Sequence, residues 1–426
     1  MTHFGILCPT ASGHLNPMTT LGHELLSRGH RVTLFGVPDA QSKTLAAGLE
    51  FWAIAESDFP KGSTSQALAQ LGKLSGLAAL RYTVNLVTQS AAVLLRDAPA
   101  AIKEAGVEAL LIDQVRPVGT VAEYLDIPFI SVCSALLLNQ EDGVPPCVTT
   151  WSYNPTWWAR LRNQAGYALF DRIQQSIWKV VSEYRQKWNL PPYIYPEDQY
   201  SKLAQLSQQP VEFEFPRQHL PSCFHFTGSY HNPASREPVA FPFEKLTGQP
   251  LIYASMGTIQ NRLLEIFQKI AEACNGLDAQ LVLSLGGSTS PESLPELPGK
   301  PLVVGYAPQL ELLQKASLTI THAGLNTTLE SLSNGVPMVA IPITNDQPGV
   351  AARIAWTGAG EFVPLSRLSA PKLRTAVQRV LTQDSYKQNA SRLQEAIRRA
   401  GGVSRAADII EQVISTGKPV LAQTQM

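Results

Sequence analysis

The chain reads His322-Ala323-Gly324-Leu325-Asn326-Thr327-Thr328-Leu329-Glu330 at the point where an apolar run meets the start of a helix. The apolar run Leu318–Thr321 has the composition of a buried strand, and helical spacing follows the small-residue turn. A strand joined directly to a helix is the repeating unit of a parallel α/β sheet. The stretch therefore predicts an α/β fold with a helix N-terminus at the edge of the sheet.

The same stretch predicts an anion site. A helix N-terminus presents unpaired backbone N–H groups and the positive end of the helix dipole. His322, Asn326 and Thr327 add side-chain donors beside it, which suits a phosphate or diphosphate. Glu330 lies further along the helix, where its carboxylate can accept hydrogen bonds from both hydroxyls of a ribose. Together these residues predict a nucleotide-sugar site.

The composition fits a well-buried α/β protein of two domains. The chain has 426 residues, of which 44% are hydrophobic and 16% charged, so it is too long for one ordinary core and too apolar for disorder. Its 34 basic and 34 acidic residues balance to a formal net charge of zero. A nucleic-acid-binding protein usually has a basic excess, so we expect no nucleic-acid partner.

The cysteine pattern and the first residues predict a cytoplasmic protein. The five cysteines are scattered and form no CxxC pair, which favours reduced thiols over disulfides or a zinc site. A strand begins at once, at His3, so the first residues do not resemble a signal peptide. Apolar runs stay well short of the roughly 20 residues that span a bilayer.

Two series of alternating strands and helices divide the chain. The strands of the first series are predicted at Phe4–Cys8, Arg31–Val37, Ala109–Ile112 and Phe129–Val132, with a helix over Pro17–Arg28. Those of the second series are predicted at Leu251–Ala254, Gln280–Ser284, Leu302–Val304, Leu318–Thr321 and Met338–Ile341. Each series predicts a right-handed, doubly wound parallel sheet.

A proline-containing passage, 228–250, separates the two series. We predict an N-terminal domain at 1–235, a linker at 236–250 and a C-terminal domain at 251–404. The remaining residues, 405–426, contain a last helix at about Arg405–Ile414 that is a candidate to pack back on the N-terminal domain.

Small, hydroxyl-bearing and aromatic residues follow the strands of the second series. Ligands bind beyond the carboxyl ends of the strands in an open parallel sheet, so these loops extend the nucleotide-sugar site. Each residue alone has a plainer explanation, since a glycine permits a tight turn, a tyrosine packs and a carboxylate is solvated. Their joint spacing favours a ligand site, which adds Ser255, Gly257, Thr258, Tyr306, Ala307, Gln309, Gly324, Asp346 and Gln347.

The first strand–helix turn of the chain, Thr10–Pro17, carries His14 and lacks the GxGxxG fingerprint of dinucleotide-binding folds. An imidazole can take a proton from a hydroxyl near neutral pH. It needs a carboxylate to orient it, and Asp113, directly after the strand Ala109–Ile112, is the candidate. Helix capping is the alternative role for both residues.

Five tryptophans lie in or near the aromatic-rich helical sequence that precedes the linker: Trp151, Trp157, Trp158, Trp178 and Trp188. A large aromatic surface suits a flat, apolar acceptor such as a carotenoid end group, a polyketide or a flavonoid. We predict that the first three bind the acceptor, with ordinary helix packing as the alternative. Because Trp157 and Trp158 lie near Arg160 and Arg162, peripheral contact with a membrane surface is a further hypothesis.

In order and spacing, four motifs resemble the donor signature of the family 1 nucleotide-sugar-dependent glycosyltransferases of the GT-B fold: Tyr306–Gln309, His322–Glu330, Gly335–Pro337 and Asp346–Gln347. The resemblance extends over nearly the whole chain. It is nearest to the bacterial zeaxanthin glucosyltransferase-like branch, through Ile320–Ser331 and Ile341–Pro348. It implies two Rossmann-like domains that face a cleft.

The resemblance also implies residue roles. Tyr306 lies against uracil, Glu330 holds the ribose, and His322, Asn326 and Thr327 contact the diphosphate. Asp346 and Gln347 hold sugar hydroxyls, and Asp113 resembles the aspartate that partners the catalytic histidine. Plant members usually have tryptophan at the positions of Tyr306 and Leu325, so TDP and another hexose remain alternatives to UDP and glucose.

The implied activity is inverting transfer of a hexose from a nucleotide sugar to a hydroxyl of an apolar small molecule, with His14 as the general base. The nucleotide sugar is a co-substrate, and we expect no metal because the chain lacks a DxD sequence. Three alternatives remain open: a nucleotide-sugar epimerase on the same scaffold, a catalytically silent nucleotide-sugar-binding subunit, and a nicotinamide dehydrogenase. The missing glycine spacing disfavours the last.

Overall fold

The computed structural model of the chain describes residues 1–231, 238–259, 264–287 and 290–422. The strands are β1 His3–Leu7, β2 Arg31–Gly36, β3 Glu50–Ala53, β4 Ala109–Asp113, β5 Phe129–Cys133, β6 Gln205–Ser207, β7 Phe224–Phe226, β8 Leu251–Ser255, β9 Gln280–Ser284, β10 Leu302–Val304, β11 Ala316–Thr321, β12 Met338–Ala340 and β13 Gly360–Phe362. The helices are α1 Ser12–Ser27, α2 Gln41–Ala46, α3 Ser63–Leu71, α4 Gly76–Ala105, α5 Gly119–Leu125, α6 Trp157–Lys187, α7 Leu264–Cys274, α8 Gln309–Leu313, α9 Leu325–Ser333, α10 Gln347–Trp356, α11 Ala370–Thr382, α12 Asp384–Ala400 and α13 Gly402–Thr416. None of the helices in the described ranges has the apolar length that a bilayer-spanning segment needs.

Seven parallel strands form the sheet of the N-terminal domain, in the order β3-β2-β1-β4-β5-β6-β7. The four strands predicted for this domain are β1, β2, β4 and β5. The sequence missed β3, β6 and β7, which have only three or four residues each. The strand order changes direction between β1 and β4, which makes that crevice the expected ligand site.

Six parallel strands form the sheet of the C-terminal domain, in the order β10-β9-β8-β11-β12-β13. The five predicted strands are β8 to β12, and the three-residue edge strand β13 is an addition. Here the order changes direction between β8 and β11. The predicted α/β class, with two doubly wound parallel sheets, is confirmed.

Helices cover both faces of each sheet. On β1, Phe4 and Ile6 join a buried core shared with α1 and α13, whereas Leu7 joins a second core with α4 and α5. Alternate strand residues point to opposite faces, so both sets are buried. This arrangement explains why the central strands read as continuous apolar runs in the sequence.

Helix α1 begins at Ser12, so its predicted start at Pro17 is wrong. Proline is common in the first turn of a helix, which is why the sequence suggested a start there. Pro17 instead lies inside α1. The correction matters because it places His14 in the first turn of the helix, at the edge of the sheet.

Helix α13 packs on the N-terminal domain. Its residues Ala406 and Ile410 join the core that contains Phe4. On its outer side, Arg28 of α1 pairs with Asp408 at 2.7 Å. The predicted domain boundary at 235/236 and the tail residues 423–426 lie outside the described residues, so the domain limits stay a prediction.

A buried ion pair joins the two domains. Arg353 of α10 donates hydrogen bonds to both carboxylate oxygens of Glu214, which belongs to the N-terminal domain, and its Nε lies 3.0 Å from Oε2. Both side chains are 1% exposed. Arg217 and Gln209 also donate to Glu214, at 3.2 and 2.7 Å. The ion pair is thus a buried polar contact between the two domains.

Candidate active site

A cavity of about 1490 Å³ lies between the two domains. Its walls come from the carboxyl ends of both sheets, at the two crevices where strand order changes direction. In such folds ligands bind at these crevices. All predicted donor-site residues and one of the two predicted catalytic residues line this cavity: His14, Ser255, Gly257, Thr258, Tyr306, Ala307, Gln309, His322, Gly324, Asn326, Thr327, Glu330, Asp346 and Gln347. The other catalytic candidate, Asp113, does not line it and lies behind His14.

His14 and Asp113 form a hydrogen-bonded pair at the floor of the N-terminal side. The adjacent strands β1 and β4 bring them together, and His14 Nδ1 lies 3.0 Å from Asp113 Oδ2. Asp113 is fully buried, and its Oδ1 accepts the N–H of Val115 at 3.0 Å. The His14 side chain is 22% exposed, so with Nδ1 held by the carboxylate, Nε2 is the nitrogen left for a substrate.

The charges around His14 favour its protonated form. Burial alone would lower the pKa of His14, but the Asp113 carboxylate, with help from Asp346, raises that pKa above its ordinary value. Arg116 opposes this effect. Burial raises the pKa of Asp346, although the N–H of Leu136 and the charge of His14 partly offset it. The surroundings of His14 therefore stabilise its imidazolium form.

His322 is a half-buried imidazole held between two glycines. A Cβ added at Gly257 would lie 2.6 Å from His322 Cε1, and one at Gly324 would lie 2.5 Å from Nε2. These glycines are therefore required by close approach and not only by turn geometry. Burial lowers the pKa of His322 to about 4. Its Nδ1 is buried without a hydrogen-bond partner among the described residues, a state that a bound ligand would relieve.

Asn326 ties the donor side of the cavity to the helix of His14. Pro17 has no N–H, so the carbonyl of Gly13, four residues earlier, lacks its usual helical donor. Asn326 Nδ2 donates to that carbonyl at 2.8 Å, while its Oδ1 accepts from Gln208 Nε2 at 2.7 Å. One amide hydrogen of Asn326 remains available for a diphosphate.

Glu330 belongs to a buried polar network and not to a solvated helix face. It is 2% exposed, and its Oε2 accepts from Gln309 Nε2 at 2.5 Å. The same nitrogen donates to Thr327 Oγ1 at 3.2 Å, and Gln309 Oε1 accepts from the Tyr253 hydroxyl at 3.1 Å. The network orients the Glu330 carboxylate at the wall of the cavity.

Tyr306 presents an accessible ring at the outer end of the donor side. It is 46% exposed, and a Cβ added at Gly287 would lie 3.6 Å from its Cδ2. Ala307 beside it is buried, and Ser255 Oγ accepts the N–H of Gly257 at 3.3 Å. The ring therefore forms part of the accessible wall of the cavity.

Asp346 and Gln347 are oriented by backbone groups at the start of α10. Asp346 Oδ2 accepts the N–H of Leu136, from the N-terminal domain, at 3.0 Å. Gln347 Oε1 accepts the N–H groups of Ile343 and Thr344 at 2.9 and 3.0 Å. The Gln347 amide nitrogen is thus the group of that side chain that can donate to a ligand.

The three tryptophans predicted to bind the acceptor do not line the cavity. The Arg162 guanidinium lies over the rings of Trp151 and Trp158, 4.7 and 5.7 Å from their centroids, and Trp157 is 74% exposed. Their positions do not support an acceptor-binding role. Another face of α6 lines the cavity instead, through Phe170, Gln174, Ile177 and Trp178.

Several buried polar atoms around the cavity have no hydrogen-bond partner among the described residues. Buried polar groups are normally paired, so a cluster of exceptions indicates a ligand site. They are Ser63 Oγ, Thr83 Oγ1, Arg116 Nε, Ser134 Oγ, Trp178 Nε1, Gln199 Oε1, His322 Nδ1 and Asn345 Oδ1. Within the described ranges, no group of three or more His, Cys, Asp and Glu side chains is arranged to hold a metal ion.

Sequence reasoning missed Gln208, Arg116 and Trp178 at this site. Arg116 lies in the turn after β4, three residues beyond Asp113, so a charged residue in that loop was a usable signal. Trp178 shares helical spacing with Phe170 and Gln174, which also marked a common face. Gln208 had no such signal, because its partner Asn326 is distant in sequence.

The chain matches a known family over most of its length. The family described as UDP-glucoronosyl and UDP-glucosyl transferase matches residues 6–400. A protein named zeaxanthin glucosyltransferase from Pantoea ananas is 34% identical over 99% of this chain and 98% of its own length. A protein of the same name from Pseudescherichia vulneris is 32% identical over 99% of this chain and 100% of its own length.

Solved structures share the fold. The crystal structure of the glycotransferase of kitacinnamycin superposes with a TM-score of 0.75 at 23% identity, covering 96% of this chain and 98% of that chain. At this identity the likeness concerns the fold alone. The architecture is GT-B, with two Rossmann-like domains, as predicted.

Proposed function

Because the chain belongs to the UDP-glucoronosyl and UDP-glucosyl transferase family, we propose that it moves glucose from UDP-glucose to a hydroxyl of a carotenoid-like acceptor. The chain is a glycosyltransferase of family 1, in the zeaxanthin glucosyltransferase-like branch. The choice of glucose and of a carotenoid rests on two relatives named for that reaction, each similar over nearly the whole chain. The mainly apolar wall formed by α3, α4 and α6 suits such an acceptor.

The observation that carries the proposal is the position of the His14–Asp113 pair. His14 Nδ1 lies 3.0 Å from Asp113 Oδ2, and His14 lines the same cavity as His322, Tyr306 and Glu330 of the other domain. A base on one side and an anion site on the other is the arrangement that a displacement at a sugar carbon needs. The cavity thus supplies both halves of the reaction.

The proposed reaction is a single in-line displacement. His14 Nε2 removes the proton from the acceptor hydroxyl, and Asp113 stabilises the resulting imidazolium. The acceptor oxygen forms a bond to the anomeric carbon as the bond from that carbon to the phosphate oxygen breaks. The nucleoside diphosphate leaves with the electron pair on the opposite face, so an α-linked donor gives a β-glycoside.

The donor is held without a metal in this proposal. His322, Thr327 and the N-terminus of α9 stabilise the diphosphate charge that develops as the bond breaks. The Tyr306 ring lies against the base, and the Glu330 carboxylate accepts from the ribose hydroxyls. The side chains of Asp346 and Gln347 contact hydroxyls of the sugar.

Product analysis tests this proposal. We expect purified protein to convert UDP-glucose and a zeaxanthin-type dihydroxy carotenoid into a glycoside one hexose heavier, detected by mass spectrometry. TDP-glucose and UDP-galactose serve as matched donors, and a flavonol serves as a second acceptor. Consumption of UDP-glucose without a glycoside would favour the epimerase alternative, and binding without consumption would favour a silent binding subunit.

We also propose that the exposed face of α6 contacts an anionic membrane surface, where an apolar acceptor resides. This face carries Trp157, Leu161 and Leu169, which are 74%, 56% and 61% exposed and share one side of the helix. Arg160 and Arg172 flank it and are exposed. An apolar stripe with cationic edges fits the boundary of an anionic bilayer.

Vesicle co-sedimentation tests the membrane contact. We expect Trp157→Ala/Leu161→Ala to weaken binding to vesicles rich in phosphatidylglycerol by about tenfold or more, since burying a large apolar side chain contributes about 1.5–3 kcal/mol. Leu45→Ala removes a leucine that is 53% exposed on α2 and is the matched control. Equal binding of both variants would remove α6 from this role.

A further inference from the structure

Arg116 is a cation at the wall of the cavity with an incomplete set of partners. One of its terminal nitrogens donates to Ser90 Oγ on α4, and Nη2 lies 3.5 Å from the carbonyl oxygen of Cys8. Its Nε is buried and has no partner among the described residues. No carboxylate of the described chain forms an ion pair with it within 4.0 Å. A guanidinium in this setting is incompletely compensated, which is costly unless a ligand completes it.

Asp113 does not serve as its direct counter-ion. One carboxylate oxygen of Asp113 faces His14 and the other accepts the N–H of Val115. Arg116 is tied to Asp113 only through the backbone, where its N–H donates to the Asp113 carbonyl at 2.8 Å. That bond places the base of the Arg116 side chain in the turn that carries the partner of His14.

Asp113 connects Arg116 to His14 at the wall of the cavity: its carboxylate is hydrogen-bonded to His14, and its carbonyl accepts the N–H of Arg116. Arg116 and His14 both line the cavity, and the charge of Arg116 lowers the pKa of His14 while burial lowers that of Arg116 itself. The Asp113 carboxylate lies in the same turn and would repel an anionic ligand, so a neutral oxygen fits beside Arg116 better than a carboxylate. A guanidinium only donates hydrogen bonds, so its ligand must accept them.

We propose that Arg116 binds a keto oxygen of the acceptor, on the carbon next to the hydroxyl from which His14 takes the proton. This inference rests on the proposed function and adds a substrate class to it, the α-hydroxy ketones. The guanidinium fixes the keto oxygen, so the neighbouring hydroxyl is presented to His14. It also stabilises the negative charge that develops on the hydroxyl oxygen as the proton leaves.

Two matched acceptors test the inference: 3-hydroxy-β-ionone and its 4-keto derivative. With the native protein we expect kcat/KM for the keto alcohol to be higher by about tenfold or more, as for a charge-assisted hydrogen bond. In Arg116→Met the ratio should fall to about one, whatever happens to the absolute rates. Arg116→Lys keeps the charge but loses the fork of donors, so its ratio should fall between the two.

Arg81→Met is the control, because Arg81 is exposed on α4 and is not part of the cavity wall. It should keep the native ratio. An unchanged ratio in Arg116→Met overturns the inference, as does a raised KM for UDP-glucose with the same ratio, which would place Arg116 on the donor. If neither alcohol is glycosylated, binding of both alcohols is measured by quenching of the intrinsic tryptophan fluorescence. An affinity ratio that Arg116→Met does not change then overturns the inference separately from the proposed function.

Discussion

Replacing His14 by alanine is expected to lower kcat by a factor of about 10²–10⁴, the range that a general base contributes. The side chain supplies the only imidazole of the described residues that is paired with a carboxylate inside the cavity. His322, the other cavity histidine, has its pKa lowered to about 4 by burial and belongs to the donor side. The KM for UDP-glucose should stay within about threefold of the native value, because His14 lies on the acceptor side.

The pH profile gives an independent readout of the same role. The base is active when neutral, and Asp113 raises the pKa of His14 against the effect of burial, so kcat/KM should fall as pH drops through that raised pKa. Asp113→Asn removes the carboxylate and leaves the effect of burial. The acid limb should therefore move to lower pH while the maximal rate falls.

His23→Ala is the matched control for both measurements. His23 lies on the same helix as His14, but its Nδ1 contacts the Ala47 carbonyl at 3.1 Å and it is not part of the cavity wall. Its loss should change neither kcat nor the acid limb. Turnover near the native rate in His14→Ala, with donor KM unchanged, would remove His14 from the reaction.

The sequence predicted the central strands and the cavity loops well because both depend on local patterns. Buried parallel strands are continuous apolar runs, and the loops at their carboxyl ends share one edge of the sheet by topology. His322 and Gly257 illustrate this, since adjacency of β8 and β11 brings them into contact. Strand order therefore carries most of the predictable information about the site.

What the sequence could not reveal depends on contacts between distant residues. The strands β6 and β7 are three residues each, and each depends on a neighbour that is distant in sequence: β6 pairs with β5, and the edge strand β7 pairs with β6. Asn326 donates to the carbonyl of Gly13, which belongs to the other domain. That carbonyl lacks its usual helical donor because Pro17 has no N–H. The sequence shows how many tryptophans lie in and near α6. It does not show which face of α6 borders the cavity, and that face decides which aromatic side chain reaches it.

Replacing Glu214 by glutamine is expected to lower the free energy of unfolding by about 3–5 kcal/mol, the cost of breaking a buried ion pair. The substitution leaves the guanidinium groups of Arg353 and Arg217 buried without a counter-charge, 1% and 5% exposed. Because Glu214 and Arg353 belong to different domains, the loss should also loosen the cleft. Urea denaturation of the native and variant proteins measures the difference.

Glu214→Gln should also change how the free energy of unfolding depends on pH in the acid range. Burial alone would raise the pKa of Glu214, but Arg353 and Arg217 lower it below its ordinary value. A carboxyl group with a lowered folded-state pKa adds stability above its unfolded pKa, about 4.3, and loses it as pH falls through the folded value. Glu214→Gln should therefore lose part of the native decline in stability below about pH 4.

Arg399→Met is the control that separates the loss of a buried ion pair from the loss of any ion pair between the two domains. Arg399 pairs with Glu212 at 2.9 Å, again between α12 and the segment next to Glu214, but the two side chains are 62% and 39% exposed. An exposed pair contributes about 0–1 kcal/mol because water screens the charges. If Glu214→Gln lowers the free energy of unfolding by no more than Arg399→Met does, burial does not strengthen the ion pair between the domains. The hydrogen bonds of Asn326 and Asp346 would then be the main polar contacts that hold the cleft.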